Sequence, residues 1–219
     1  MALAAWVVTA APCTAADERP GSGWFHPPQA RFAGLAIGSW GGRWWQWLKS
    51  FARSNNPVTD RSGALCTEGQ VGDVWFLAGA PTPAPVERAC TLPAGVTLLF
   101  PVLAYVYYAA PAHPLTCEGA REGVAGRVAR PVGMTVTLNG EAVAEPLLHR
   151  EPSPGCFDPL VHTTAEGEQS RAWPGASDGW WFALRPLPPG THRLHFSARV
   201  RGFGQDVTYT LTVLPPDDA

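Results

Sequence analysis

The sequence predicts a mainly β fold: a single-domain antiparallel β-sandwich with a short N-terminal Trp-rich helix. Three observations carry that expectation. Residues 192–213 alternate apolar and polar side chains at the period of two that half-buried strands require. Glycine and proline number 23 each and are scattered along the 219 residues, which means frequent turns and few long helices. No regular strand–helix–strand alternation occurs, so a parallel sheet wrapped by helices is disfavoured.

The first sixteen residues, MALAAWVVTAAPCTAA, read as a secretory signal. Their apolar run of about ten residues is too short to span a bilayer. Cys13/Ala15 or Thr14/Ala16 place small residues at the spacing of a cleavage site. Residues 17–33 form an irregular segment, 34–214 hold the sandwich with its helical extension, and 215–219 are a tail.

The helix is expected in GSWGGRWWQWLKSF, residues 38–51. Trp40, Trp44, Trp47, Leu48 and Phe51 fall at i, i+4, i+7, i+8 and i+11, a single apolar stripe. Ser39 is the expected N-cap, Lys49 and Arg53 suit the C-terminal end, and SNNP at 54–57 is a stop. Gly41 and Gly42 each cost about 1 kcal/mol relative to Ala, so tertiary packing must hold this helix. Trp45 is rotated off the stripe, beside Arg43 and Gln46.

From residue 71 onward the pattern turns to strands. VWFLAGA (74–80) and VTLLFPVLAYVYY (96–108) are apolar on both faces, with Pro101 implying a bulge or a change of sheet. EGAREGVAGRVARPV (118–132) is a short helix with Ala120, Val124 and Val128 aligned. MTVTLNGEAV (134–143) alternates and carries Asn139-Gly140, a type I′ hairpin turn. In WWFAL (180–184), Trp180 and Trp181 point to opposite faces, so one of them faces away from the core unless both faces are covered. Finally His192, Leu194, Phe196, Ala198 and Val200 share an inward face, and Val207, Tyr209, Leu211 and Val213 share another.

Past the leader, four cysteines remain, and an even number in an exported chain reads as disulfides. Three pairings are open; Cys66–Cys90 with Cys117–Cys156 is preferred, because the first would staple neighbouring strands around VWFLAG. No C-x-x-C occurs, against a zinc ribbon or redox motif. Apolar residues make up 46% and charged residues 16%, which suits a folded domain. A formal charge of −2 offers no long-range field to nucleic acid or an anionic membrane, and no segment past the leader approaches transmembrane length. Among the 16 basic residues only Lys49 is a lysine.

WGGRWWQW, CTEGQVGDVWFLAG, CTLPAGVTLLFP and SDGWWFALRPLPPGTHRLHF occur in that order over roughly residues 34–213. In order and spacing they resemble a loose group of exported bacterial proteins. The resemblance implies export and a shared fold; it carries no catalytic residue.

Candidate chemistry is sparse. GASDG at 175–179 matches the spacing of a nucleophile elbow, but Ser177 precedes a strand and Asp178-Gly179 reads as a turn. His192 and His195 lie three apart on a strand, which sends their rings to opposite faces, so they cannot share a metal. His195 sits with Arg193, Ser197 and Arg199 on the polar face, and His195 with Arg199 is the catalytic candidate. Glu151 with Asp158, or Glu166 with Glu168, could supply a carboxylate pair. No P-loop, dinucleotide fingerprint or H-E-x-x-H is present, and no cofactor or metal is expected.

The leading expectation is therefore a secreted or periplasmic, non-catalytic binding module for an extracellular, carbohydrate-like ligand such as a polysaccharide. Arg43, Trp45, Gln46 and Trp181 are its expected contacts. The alternatives are a secreted hydrolase or lyase with His195 in its site, and a structural envelope protein.

Overall fold

A computed structural model describes residues 21–163 and 172–216. The expected leader and the Glu166–Glu168 pair lie outside these residues. The elements are β1 (Arg31–Phe32), β2 (Leu35–Ala36), α1 (Ile37–Lys49), β3 (Val74–Phe76), β4 (Pro85–Leu92), β5 (Thr97–Tyr108) and α2 (Cys117–Ala125). They continue with β6 (Val132–Leu138), β7 (Glu141–Ala142), β8 (Gly175–Leu184), β9 (Gly190–Val200) and β10 (Phe203–Val213).

Two sheets form the sandwich: five strands in the order β4-β10-β9-β6-β7, and three in the order β3-β5-β8. The chain passes between them repeatedly, β3 in the small sheet, β4 in the large, β5 back in the small. That return brings β5 alongside β3 in the same direction, and the pair is parallel. β4 and β10 are parallel as well, while the other strand pairs of the two sheets are antiparallel. Alternation alone specifies which face is buried, not strand direction, so these two parallel pairs are not legible in it.

The core between the sheets takes Val136, Leu194, Phe196, Val207 and Tyr209 from one side and Leu98, Phe100, Trp180 and Phe182 from the other. Phe100 stacks on Phe196 with ring centres 4.7 Å apart. The opposite face of the small sheet is not solvent-exposed. α1 lies across it, packing Ile37, Trp40, Trp44, Trp47 and Leu48 against Val74, Leu99, Trp181 and Ala183. Covered on both faces, β8 is buried at all ten positions. This overturns the exposed placement of Trp181: its ring is completely buried beneath the helix.

α1 forms where the Trp stripe predicts, but it begins at Ile37, and its N-cap is Ala36 with no side-chain bond, not Ser39. The stripe needs its glycines. A Cβ on Gly41 would stand 2.7 Å from a ring carbon of Trp181, so only glycine lets the helix lie this close. The indole N–H groups of Trp40, Trp44 and Trp47 donate to the carbonyls of Phe32, Leu77 and Glu68 at 3.0, 2.9 and 2.9 Å. Each buried donor is thereby satisfied.

Asp178-Gly179, expected as a turn, is the interior of β8, paired with Tyr105 and Ala104. A distant cation overrides the local preference: Arg150 grips the Asp178 carboxylate from Nε at 3.2 Å and Nη2 at 2.6 Å. The bulge in β5 falls between Pro101 and Leu103, and Asn139 and Gly140 both adopt positive φ in the β6–β7 hairpin. Both disulfides pair as preferred, Cys66–Cys90 and Cys117–Cys156. At sequence separations of 24 and 39, each lowers unfolded-chain entropy by about 3 to 4 kcal/mol in the loop-closure account. No helix among the described residues is long and apolar enough to cross a membrane.

Candidate functional site

The residue after Trp44 in α1 is turned about 100° around the helix axis. Trp45 therefore leaves the stripe and lines a cleft of about 440 Å³ at the margin where α1 meets the sandwich, inside the size range of small-molecule sites, roughly 300–1,000 Å³. Its ring meets Trp44 edge-on at 5.0 Å, and its enclosed indole N–H has no hydrogen-bond partner.

Three other segments complete the walls. Beyond the Pro101 bulge, β5 presents Tyr105, which is 36% exposed. Arg127, just after α2, lies over the Tyr105 ring at 5.2 Å. The tight β9–β10 connection brings Arg201 and Phe203. The floor is fixed by Gln205, whose side-chain amide donates to Pro101 O at 2.8 Å while its oxygen accepts from Ala80 N–H at 2.7 Å. Gly79, packed against that amide, has no room for a side chain.

Arg88 lies behind this floor, 4% exposed. It donates to the carbonyls of Asp60, Ala78, Gly79 and Val58 and to the Tyr209 hydroxyl. Val58 and Gly79 also line the cleft, so a buried cation backs its wall. Burial pushes the Tyr209 phenol above its ordinary range, against the opposing pull of Arg88. Burial would also raise the Asp60 carboxyl, but N–H groups of Leu65 and Ser62, the Ser62 hydroxyl and the Arg88 charge outweigh it and hold it low.

Of the expected contacts, the cleft keeps only Trp45. Arg43 is exposed on another side of α1, its guanidinium 4.9 Å over the Trp40 ring. Gln46 donates from Nε2 to the Asp158 carbonyl at 3.0 Å, a tie between α1 and a loop. Trp181 is beneath the helix. Tyr105, Arg127, Arg201 and Phe203 take their places, and the available signal was an aromatic, Phe203, in the stretch RGFGQD, most of which is the start of β10.

Neither catalytic candidate lines the cleft. His195 Nε2 lies 3.0 Å from Asp206 Oδ1 on the outer face of the large sheet, with the two side chains 29% and 33% exposed. Arg199 borders a neighbouring recess with Pro83 and Gly204, which shares Val200, Gly202 and Phe203 with the Trp45 cleft. His192 closes the core edge instead, with Nε2 2.9 Å from Pro188 O and Nδ1 3.2 Å from Asn139 Nδ2. Glu151 and Asp158 serve the backbone: Glu151 accepts from Gln29 N–H at 2.6 Å, and Asp158 accepts from Leu160 and Ala172 N–H. Burial raises the Glu151 carboxyl against the pull of Gln29.

A second cleft, about 720 Å³, runs between α2 and the edge of β8. Of its charged side chains, Asp178 is held by Arg150, and Glu118, Arg121 and Glu122 of α2 also line it. Ser177 of the nucleophile-like motif borders it, yet its hydroxyl is enclosed without a partner in mid-strand, not exposed on an elbow. Among the described residues no group of three or more His, Cys, Asp or Glu comes together as a metal site.

No family model matches the chain, and no curated protein does. Among solved structures, the solution structure of amebosin is 10% identical, covering 60% of this chain and 98% of its own, with a TM-score of 0.19.

Proposed function

We propose that this protein is an exported binding module, without catalysis of its own, that holds a carbohydrate-like ligand in the cleft at Trp45. The observation that carries the reading is the convergence of Trp45, Tyr105 and Phe203 on one recess from three separate segments. Aromatic rings with a polar handle suit surfaces that are apolar on one face and wet on the other, as sugar rings are. Export is supported by two disulfides, which persist in oxidising compartments, by the leader-like first sixteen residues and by the resemblance to exported proteins. The test is calorimetric titration against a panel of oligosaccharides. Trp45→Ala and Tyr105→Ala are expected to weaken binding at least tenfold, roughly the loss of one aromatic hot spot. Binding that neither variant changes, or no binding at all, defeats the reading.

The His195–Asp206 pair favours a second reading, a hydrolase or lyase, since a carboxylate that orients an imidazole is a recurring catalytic device. It predicts a hydrolytic or eliminative turnover on some oligosaccharide that His195→Ala abolishes; a panel with no turnover removes it.

A further inference from the structure

Resting on the cleft reading above, we infer that the ligand is an acidic saccharide, its ring against Trp45 and Tyr105 and its anionic group held by Arg127 and Arg201. The argument is charge complementarity. The lining of the Trp45 cleft includes two guanidiniums and no carboxylate, although the whole chain carries a formal charge of −2. The positive character is therefore local, not a reflection of overall composition.

The two cations are free to serve a ligand. Among the described residues neither guanidinium makes a hydrogen bond or ion pair, and the ring contact of Arg127 with Tyr105 leaves its N–H edge unused. The contact with the Tyr105 ring also restrains Arg127, so less freedom is lost when it grips a carboxylate or sulfate. Arg88 strengthens the preference from behind. All five of its bonds go to neutral oxygens, so its charge is not cancelled by direct contact. Asp60 feels that charge, but its carboxylate is occupied by Ser62 and Leu65. A neutral sugar gains nothing from these solvated cations, whereas an anion on the sugar ring pairs with them.

Carboxylate and sulfate share this chemistry, and the experiment separates them. The full chain is titrated with an oligogalacturonate, a sulfated oligosaccharide and a neutral cello-oligosaccharide of equal length, at low and at physiological salt. One or both acidic ligands should bind about tenfold or more tighter than the neutral one, with the gap shrinking as salt rises. The double variant Arg127→Gln, Arg201→Gln should erase the gap, with its thermal midpoint unchanged because both side chains are exposed. Whichever acidic ligand binds tighter identifies the anion. Equal binding of neutral and acidic ligands, lost in Trp45→Ala, overturns the acidic assignment and leaves the cleft reading intact. An acidic preference that survives the double variant overturns the assignment to these arginines. Binding of no saccharide overturns both.

Discussion

Trp44 and Trp45 are neighbours in the chain and opposites in the structure. Trp44 lies on the inner face of α1, 3% exposed, between Trp47 and Trp181, with its N–H donated to Leu77 O. Trp45 sits on the shoulder, half-buried, edge-on to Trp44, with no acceptor for its N–H. The contrast teaches that density of tryptophan is not a functional signal; the way each ring is satisfied is more informative. An unmatched N–H is not sufficient either, since Trp180 and Trp181 also lack acceptors. What distinguishes Trp45 is that it combines an unmatched donor with a place on a cleft wall.

The most severe test of the contrast is removal of the inner ring. Trp44→Ala should cost about 3–5 kcal/mol in denaturant unfolding, because it empties a packed site and strands the Leu77 carbonyl. A loss below 1 kcal/mol would mean that the inner face does not hold α1 in place. The glycines at 41 and 42 respond with opposite signs. Gly41→Ala should destabilise by about 1–2 kcal/mol despite better helix propensity, because its Cβ meets the rigid, enclosed Trp181 ring at 2.7 Å. Gly42→Ala should stabilise by up to about 1 kcal/mol, since its Cβ reaches the Phe157 ring at an ordinary 3.5 Å. Equal responses at the two sites would contradict the packing described. On the shoulder, Trp45→Ala should cost about 1 kcal/mol, the share of a half-buried ring. A cost matching that of Trp44→Ala would place Trp45 in the core and break the contrast.

The sequence makes some of this readable and hides the rest for identifiable reasons. The Trp stripe, the paired faces of β9 and β10, the Asn139-Gly140 turn and the Pro101 bulge are local patterns, and each appears where expected. What the stripe packs against is not local. Trp181 comes from a strand 130 or more positions away, and its burial follows only once α1 covers the second face of the small sheet. Asp178-Gly179 fails as a turn for the same reason, since Arg150 satisfies the carboxylate in mid-strand. Of the four expected contacts, Trp45 is the one that lines the cleft. Trp45 stands out by its helical phase, whereas Arg43 and Gln46 share its neighbourhood in sequence but project to other surroundings. Tyr105, Arg127, Arg201 and Phe203 meet it only through closure of the sandwich.

The comparison extends to one more ring nitrogen, with a smaller and pH-dependent effect. His149 is 5% exposed on the sandwich side of β8, stacked on Phe182 at 4.3 Å, and its Nδ1 has no partner. Burial lowers its pKa, outweighing the opposing influence of a hydrogen bond with the Trp181 backbone, so folding disfavours its charged form. The unfolded chain takes up a proton near the ordinary value of about 6.5. Between that pH and the lower folded value, the unfolded state binds more protons, and stability falls as pH falls. His26, lowered by its own burial and by the Arg185 charge, acts in the same direction. The two histidines should therefore lower the thermal midpoint from pH 7 to pH 5, against the opposing effect of Glu151, whose buried carboxyl takes up its proton earlier in the folded state. In His149→Gln, which cannot titrate, the decline should be shallower but not absent, because His26 remains. An unchanged slope would mean that the unmatched nitrogen of His149, unlike the matched indoles of α1, has no measurable effect on stability.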